Sequence, residues 1–247
     1  MRICEPGTEH IRPLRELWKL VFGDGDDFLD LFFSQAFAPQ RCLCAVEANM
    51  PVGALYWLPC DRYAYIYAVA THPEHRGKGI CRRLMEAAHE AIRAQGYAGA
   101  VLYPQEEGLR AMYRKMGYLH ETTVRELLCD AGVEPVALTR IPAKAYFEER
   151  AALLPTDALR QGSPFPELTE SLCFYRGDGL LLAATVRGTE LTAAEYLGPD
   201  AMVPGVLTAL GCEKGRFRCP GDALSFSMVC PLTEDAPMPT YFAFPLD

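Results

Sequence analysis

The stretch YIYAVATHPEHRGKGIC, Tyr65 to Cys81, constrains the fold more than any other part of the chain. Tyr63 to Ala70 is almost wholly apolar and aromatic, which reads as a buried strand. Ile80, Leu84, Ala87, Ala88, Ala91 and Ile92 then recur at helical spacing as far as Gly96. Arg76-Gly77-Lys78-Gly79-Ile80-Cys81 therefore links the end of a strand to the start of a helix. Backbone N–H groups without partners converge at such a start, at the positive end of the helix dipole. Gly77 and Gly79 let an oxygen approach the backbone. Arg76, Lys78, Arg82 and Arg83 add positive charge to a chain whose formal net charge is -8. Pyrophosphate is the natural guest.

Two other phosphate-binding patterns fail on the residues. A P-loop needs Gly-Lys-Ser/Thr, and here Gly79 follows Gly77-Lys78. A dinucleotide fingerprint needs a third glycine where Arg82 stands.

Around this segment the pattern alternates. Ile11, Leu14, Leu17, Trp18, Val21 and Phe22 share a helical face, with Thr8 as the expected N-cap. FGDGDD ends that helix. It resembles a fragment of a calcium loop but lacks the later Gly and the bidentate Glu, so it reads as helix capping. A second helix follows with Phe28, Leu31 and Phe32 inward. Residues 41–48 and 51–58 read as strands, 99–103 as a short buried strand, and 118–128 as extended. A helix carrying Leu109, Met112, Tyr113 and Met116 closes at Gly117. Beyond residue 130, helices are expected over 141–154, 155–160 and 200–210, and strands over 171–176, 180–187, 190–197, 213–218, 225–231 and 240–246. Asp178-Gly179 and Arg187-Gly188 mark tight turns. Three meandering strands and a helix thus occur twice, with no residue-level repeat.

Strand, AVATHPEHRGKGIC, amphipathic helix, AVLYP and a helix ending MYRKMGY together resemble the GNAT N-acetyltransferase family over about residues 1–128. Its phosphate signature is Gln/Arg-x-x-Gly-x-Gly/Ala, and Arg76, Gly79 and Cys81 take the three fixed places. Cys81 departs from Gly/Ala but is still small. The resemblance implies an α/β (α+β) fold with a mixed, mostly antiparallel sheet flanked by helices. It implies that Val69, Ala70 and Thr71 offer backbone groups to pantetheine, and that Arg76, Gly77, Lys78, Gly79, Ile80 and Cys81 hold the pyrophosphate of acetyl-CoA as co-substrate. Tyr113 matches the family tyrosine near the coenzyme A sulfur, where a phenol can protonate the leaving thiolate. Read on its own, Tyr113 is a core aromatic beside Leu109 and Met116. Many relatives place Asn seven residues before this Tyr; here the position is Glu106.

Leu102-Tyr103-Pro104 resembles, more loosely, the aminoglycoside acetyltransferases of the enhanced-intracellular-survival type. Those carry a second GNAT-like domain, for which residues 129–247 have room, and a sterol-carrier-like third domain, for which they do not. The expected organisation is a GNAT domain over 1–128 and a smaller, degenerate GNAT-like domain over 129–247. The implied reaction is acetyl transfer to a primary amine of a cationic small molecule. Glu47, Asp61, Glu106 and His120 are candidate bases, and the looser resemblance adds the C-terminal carboxylate, Asp247. Val69 or Ala70 is the candidate oxyanion donor. Tyr56, Trp57, Tyr63, Tyr65 and Tyr67 read equally as a cation pocket and as sheet packing. The other functional class is a catalytically inactive acyl-CoA-binding sensor or interaction module.

An acidic surface disfavours nucleic acid and anionic membranes. No apolar run approaches a membrane span, and the N-terminal residues lack the apolar core of a signal peptide. A cytoplasmic protein is expected, and a homo-oligomer is compatible with the sequence. The ten cysteines include no C-x-x-C pair, and the five histidines lack metal-ligand spacing. Reduced thiols and no metal are expected.

Overall fold

The structure, a computed structural model, describes residues 1–246. It divides into two compact units. One comprises Met1–His120 with Met228–Met238, the other Glu121–Ser227 with the residues from Pro239 onward. This departs from a boundary at 128/129. The reason is strand pairing: residues after His120 pair within the second unit, and residues after Ser227 pair within the first.

The first unit contains strands β1 (Arg2–Cys4), β2 (Cys42–Glu47), β3 (Met50–Cys60), β4 (Tyr63–Thr71) and β5 (Gly99–Leu102), with helices α1 (Thr8–Phe22), α2 (Asp26–Gln35), α3 (Ile80–Ala94) and α4 (Glu107–Arg114). β1 to β4 form an antiparallel meander. β5 returns parallel to β4 after α3, and Met228–Pro231 add an antiparallel strand beyond β5. Tight turns make the meander possible: Ala48-Asn49 between β2 and β3 has positive φ at both residues, as a two-residue hairpin requires.

Alternation along β3 sends neighbouring side chains to opposite faces. Leu55 and Trp57 join Ile80, Leu84, Met85, Ala88 and Ile92 of α3 and Tyr113 of α4 in one core. α3 can lie close because Gly53 faces it; a Cβ there would come within 2.8 Å of Ile80 Cγ2. Tyr56 points the other way, into an aromatic layer with Trp18 and Phe32 of α1 and α2, and Tyr67 joins it from β4.

Helix starts differ from expectation. Gly7, not Thr8, is the N-cap of α1; the His10 imidazole accepts from the Gly7 N–H, so no hydroxyl is needed. FGDGDD gives an N-cap at Gly25, with Asp26 and Asp27 in the first turn of α2. Asp24 accepts instead from the Trp18 indole at 2.7 Å.

The second unit contains β6 (His120–Asp130, from Glu121 onward), β7 (Thr139–Ile141), β8 (Cys173–Gly177), β9 (Leu180–Arg187), β10 (Glu190–Leu197) and β11 (Lys214–Pro220), with α5 (Ala143–Glu149), α6 (Phe165–Leu168) and α7 (Val203–Ala209). The last strand of the chain, β12 (Leu224–Pro231), begins in this unit and ends in the first. β7 to β10 meander antiparallel, and β11 returns parallel to β10 after α7. β6 then pairs antiparallel with β11. The pairing pattern of the first unit recurs here: four antiparallel strands, a helix, a parallel strand, an antiparallel closing strand.

Two expectations fail in this unit. Residues 155–160 are not helical; Ala158 instead forms an isolated bridge with Tyr241. Residues 240–246 are not a strand. Phe244 has φ 49° and Pro245 lacks a donor, so no ladder can run through them. The segment is held by burial of Tyr241, Phe242, Ala243 and Phe244 and by the Gln161 side-chain amide, which donates to the Ala243 carbonyl.

Candidate active site

The site is built on the second half of β4. β4 pairs with β5 only from Tyr63 to Tyr65. Its pairing with β3 slips between Tyr67 and Ala70, and Ala68 adopts φ 48°, unusual for a residue with a Cβ. This bulge turns the strand away from β5. His72 N–H donates to Val52 O at 2.9 Å, so the His72/Val52 pair is hydrogen-bonded. By alternation the Ala70/Ala54 pair is too, whereas Val69 and Thr71 turn their backbone groups away from β3, towards the side that β5 leaves unpaired. Of the three residues expected to offer backbone groups, Val69 and Thr71 are so placed. Ala70 is not, because β3 takes its backbone bonds.

Thr71 leads into the loop before α3. Gly77 and Gly79 have φ 74° and 75°, values that L side chains adopt only under strain, so both glycines are required by conformation. Nothing lies within 4 Å of where a Cβ would sit at either, and Arg76, Lys78, Arg82 and Arg83 are exposed around them. Arg76 Nε donates to Thr71 O at 3.4 Å, tying the loop to the strand end. Gly79 is the N-cap of α3, and the Arg83 N–H makes the first helical bond, to Gly79 O. The N–H groups of Ile80, Cys81 and Arg82 precede it and have no acceptor within the helix.

Cys81 and Val69 pack against the core cluster that contains Tyr113. The Tyr113 phenol is pushed upward by burial, then by the adjacent Cys81 thiol, so it stays protonated through neutral pH. Its edge meets Tyr118, ring centroids 5.8 Å apart. Among the described residues none hydrogen-bonds the Tyr113 hydroxyl, which leaves its proton available. The Tyr118 hydroxyl lies 2.9 Å from His89 Nε2 on α3. Burial, then Arg93, lower His89 to about 4. Sequence reading missed this pair. Its signal was weak: His89 follows the apolar Ala88 on a helix face already explained by packing.

The candidate bases do not converge. Asp61 sits in the β3–β4 turn, at the end of β4 remote from Thr71. Glu47 faces His75 at 3.2 Å, beside the loop that begins at Arg76. Glu106 is the exposed N-cap of α4, and His120 is exposed. Asp247 lies outside the described residues. Of the five aromatic residues read as a pocket or as packing, Tyr56, Trp57, Tyr63 and Tyr65 are buried sheet residues and only Tyr67 is half-buried.

The second unit has an open cavity of about 890 Å³ on β6, β10 and β11. Four of its charges form two ion pairs, Glu126 with Arg216 and Glu190 with Lys214, Asp130 and Arg218 also line it, and it shares no residue with the β4–α3 site. Among the described residues no group of His, Cys, Asp and Glu could hold a metal ion, and no helix is long and apolar enough to cross a membrane.

A bulged strand that parts from its parallel neighbour, with a glycine-rich helix start at its end, is an acetyltransferase architecture. Residues 3–120 match the family model described as "Acetyltransferase (GNAT) domain", and this segment belongs to that family. Solved structures extend the likeness of fold over both units. A GCN5-related N-acetyltransferase from Kribbella flavida is 19% identical, with TM-score 0.71 over 94% of this chain and 72% of that one. One from Anabaena variabilis is 17% identical, with TM-score 0.72 over 94% and 73%. Eis1 from Mycobacterium abscessus is 12% identical, with TM-score 0.65 over 94% and 74%. No protein of curated function matches the sequence.

Proposed function

We propose that the protein is an N-acetyltransferase that moves the acetyl group of acetyl-CoA to a primary amine of a small, cationic acceptor. The observation that carries this reading is the meeting of three elements in one cluster: the free edge of β4 at Val69, the start of α3 at Cys81, and the unbonded hydroxyl of Tyr113 on α4. The loop from Arg76 to Cys81 takes the pyrophosphate on backbone N–H groups and flanking cations. Val69 and Thr71 take the pantetheine amides as a strand would.

The neutral amine attacks the thioester carbonyl carbon. Negative charge gathers on the carbonyl oxygen, where the Val69 N–H is the candidate donor. As the carbon–sulfur bond breaks, Tyr113 gives its proton to the departing sulfur. Burial serves this step, since a phenol held in its protonated form is a donor throughout the working pH range. The second unit, which repeats the strand pairing of the first, reads as a degenerate copy of the same fold. Its counterpart of the phosphate loop carries Asp200, paired with Arg125 at 2.7 Å, where the first unit carries cations.

The second reading, an acyl-CoA-binding module without turnover, draws on Glu106 standing where many relatives have Asn. A thiol-release assay with acetyl-CoA against polyamines, aminoglycosides and amino-terminal peptides separates the two. Turnover on at least one amine is expected. Coenzyme A binding with no turnover on any amine favours the module, and no binding at all removes both.

A further inference from the structure

We propose that Cys4 and Cys44 form a reversible cross-strand disulfide that staples the edge strand of the first unit in response to peroxide. All ten cysteines are free thiols in the structure, and the acyl-transfer site uses neither of these two. Cys4 stands directly opposite Cys44 in the antiparallel β1–β2 pair. Opposed residues in such a pair have Cα atoms about 4.5 or 5.5 Å apart, and a disulfide accepts about 4.4–6.8 Å. Both spacings fit, and both side chains leave the same face of the sheet. The Cys44 thiol donates to the Cys4 carbonyl at 3.4 Å. Burial, then the charge and hydrogen bond of the Cys4 thiol, push Cys44 up to about 12, which is the electrostatic mark of two neighbouring sulfurs.

Cys42 is the obvious competitor, since it lies two residues from Cys44 on the same face. Its opposite neighbour is Tyr56, and relative to Cys4 it occupies the diagonal, about 7–8 Å away, too far to bridge without moving the backbone.

Exposure sets the order of events. Cys44 is fully buried and Cys4 half-buried on the edge strand. The Cys4 thiolate attacks one peroxide oxygen, the O–O bond breaks, and hydroxide leaves to become water. Cys4 is then a sulfenic acid. Cys44 sulfur attacks the Cys4 sulfur and the S–O bond breaks. The leaving oxygen takes the Cys44 proton and departs as the second water. Two thiols are oxidised by two electrons and one peroxide is reduced. A dithiol reverses the bond by exchange.

The closed loop encloses α1 and α2, the helices that lay Trp18 and Phe32 over Tyr56 and Tyr67. Oxidation therefore ties both ends of this helical pair to one point of the sheet. The inference does not depend on the acyl-transfer reading.

The test treats the intact protein with hydrogen peroxide, alkylates the remaining thiols, and maps peptides without reduction. Expected are the loss of two of the ten thiols, a linked Cys4–Cys44 peptide, and a rise in Tm of about 5–10 °C that dithiothreitol reverses. Cys4→Ser, at a half-buried site that tolerates a hydroxyl, should fold and lose both the link and the rise. Cys42→Ser should keep both. A link between any other pair, Cys4 passing to sulfinic acid with Cys44 still alkylatable, or ten intact thiols would each overturn the proposal.

Discussion

Tyr113 is a single hydroxyl on which two interpretations turn, and one substitution separates them. As proton donor, Tyr113→Phe should lower kcat about 10²-fold and leave KM for acetyl-CoA nearly unchanged, in steady-state kinetics. As packing alone, the phenylalanine should be almost silent, since it keeps the ring and removes an oxygen that no described residue bonds. His89 supplies a second test at this scale. Its folded value, about 4, lies below the ordinary imidazole value because burial and Arg93 oppose the charged form. The unfolded chain thus binds more protons between about pH 6.5 and 4. The contribution is fully present above pH 6.5 and is lost as pH falls towards 4. Stability by denaturant titration should drop by about 1–3 kcal/mol over that window, and the drop should shrink in His89→Gln, an uncharged partner for Tyr118. The strand-to-helix loop Arg76–Cys81 was legible in the sequence because its features are contiguous: two glycines, the cations and a helix start. The His89–Tyr118 pair was not, because residues far apart in the chain meet only once α3 is docked.

The elements show where local pattern stops being informative. Apolar runs and turn residues placed the meander β2–β3–β4, α3 and β5 within a residue or two. The β4 bulge escaped, since it is a property of register against β3 and not of composition. Segments 155–160 and 240–246 had the right hydrophobicity for regular structure and fold irregularly instead. Backbone bonds from Leu159 N–H to Tyr241 O and from Thr240 N–H to Asp157 O join the two segments, and a buried polar network adds to the apolar burial of 240–246. Glu195 on β10 is fully buried and accepts from Arg150 at 2.7 and 2.9 Å, from Tyr146 at 2.8 Å and from Tyr241 at 3.0 Å. Arg150 also lies over the rings of Phe147 and Phe244. A carboxylate and a guanidinium within apolar stretches give no periodic signal. Glu195→Gln leaves the Arg150 charge without its counter-charge and should cost about 3–5 kcal/mol, read from urea midpoints. The segment from Thr240 through Phe244 should become the first site of proteolysis in that variant.

For the whole molecule, the family was readable from half the chain and the true division into units was not. β6 has the same alternating pattern whichever strand it joins, so nothing local says that it closes the sheet of β11. Nor does the sequence of 228–231 announce β5 as its partner. A chain cut after residue 128 should therefore be insoluble or molten, showing loss of dispersed NMR signals or strong dye binding, because the unpaired edge of β5 is exposed. Restoring residues 228–238 through a flexible linker should recover a cooperative melt. The same exchange bears on biosynthesis. A ribosome delivers the amino end first, and domains ordinarily fold as they emerge. Here the first unit waits for a strand that is made only after residues 121–227 of the second unit, so the nascent protein carries an open sheet edge while that whole intervening stretch is synthesised.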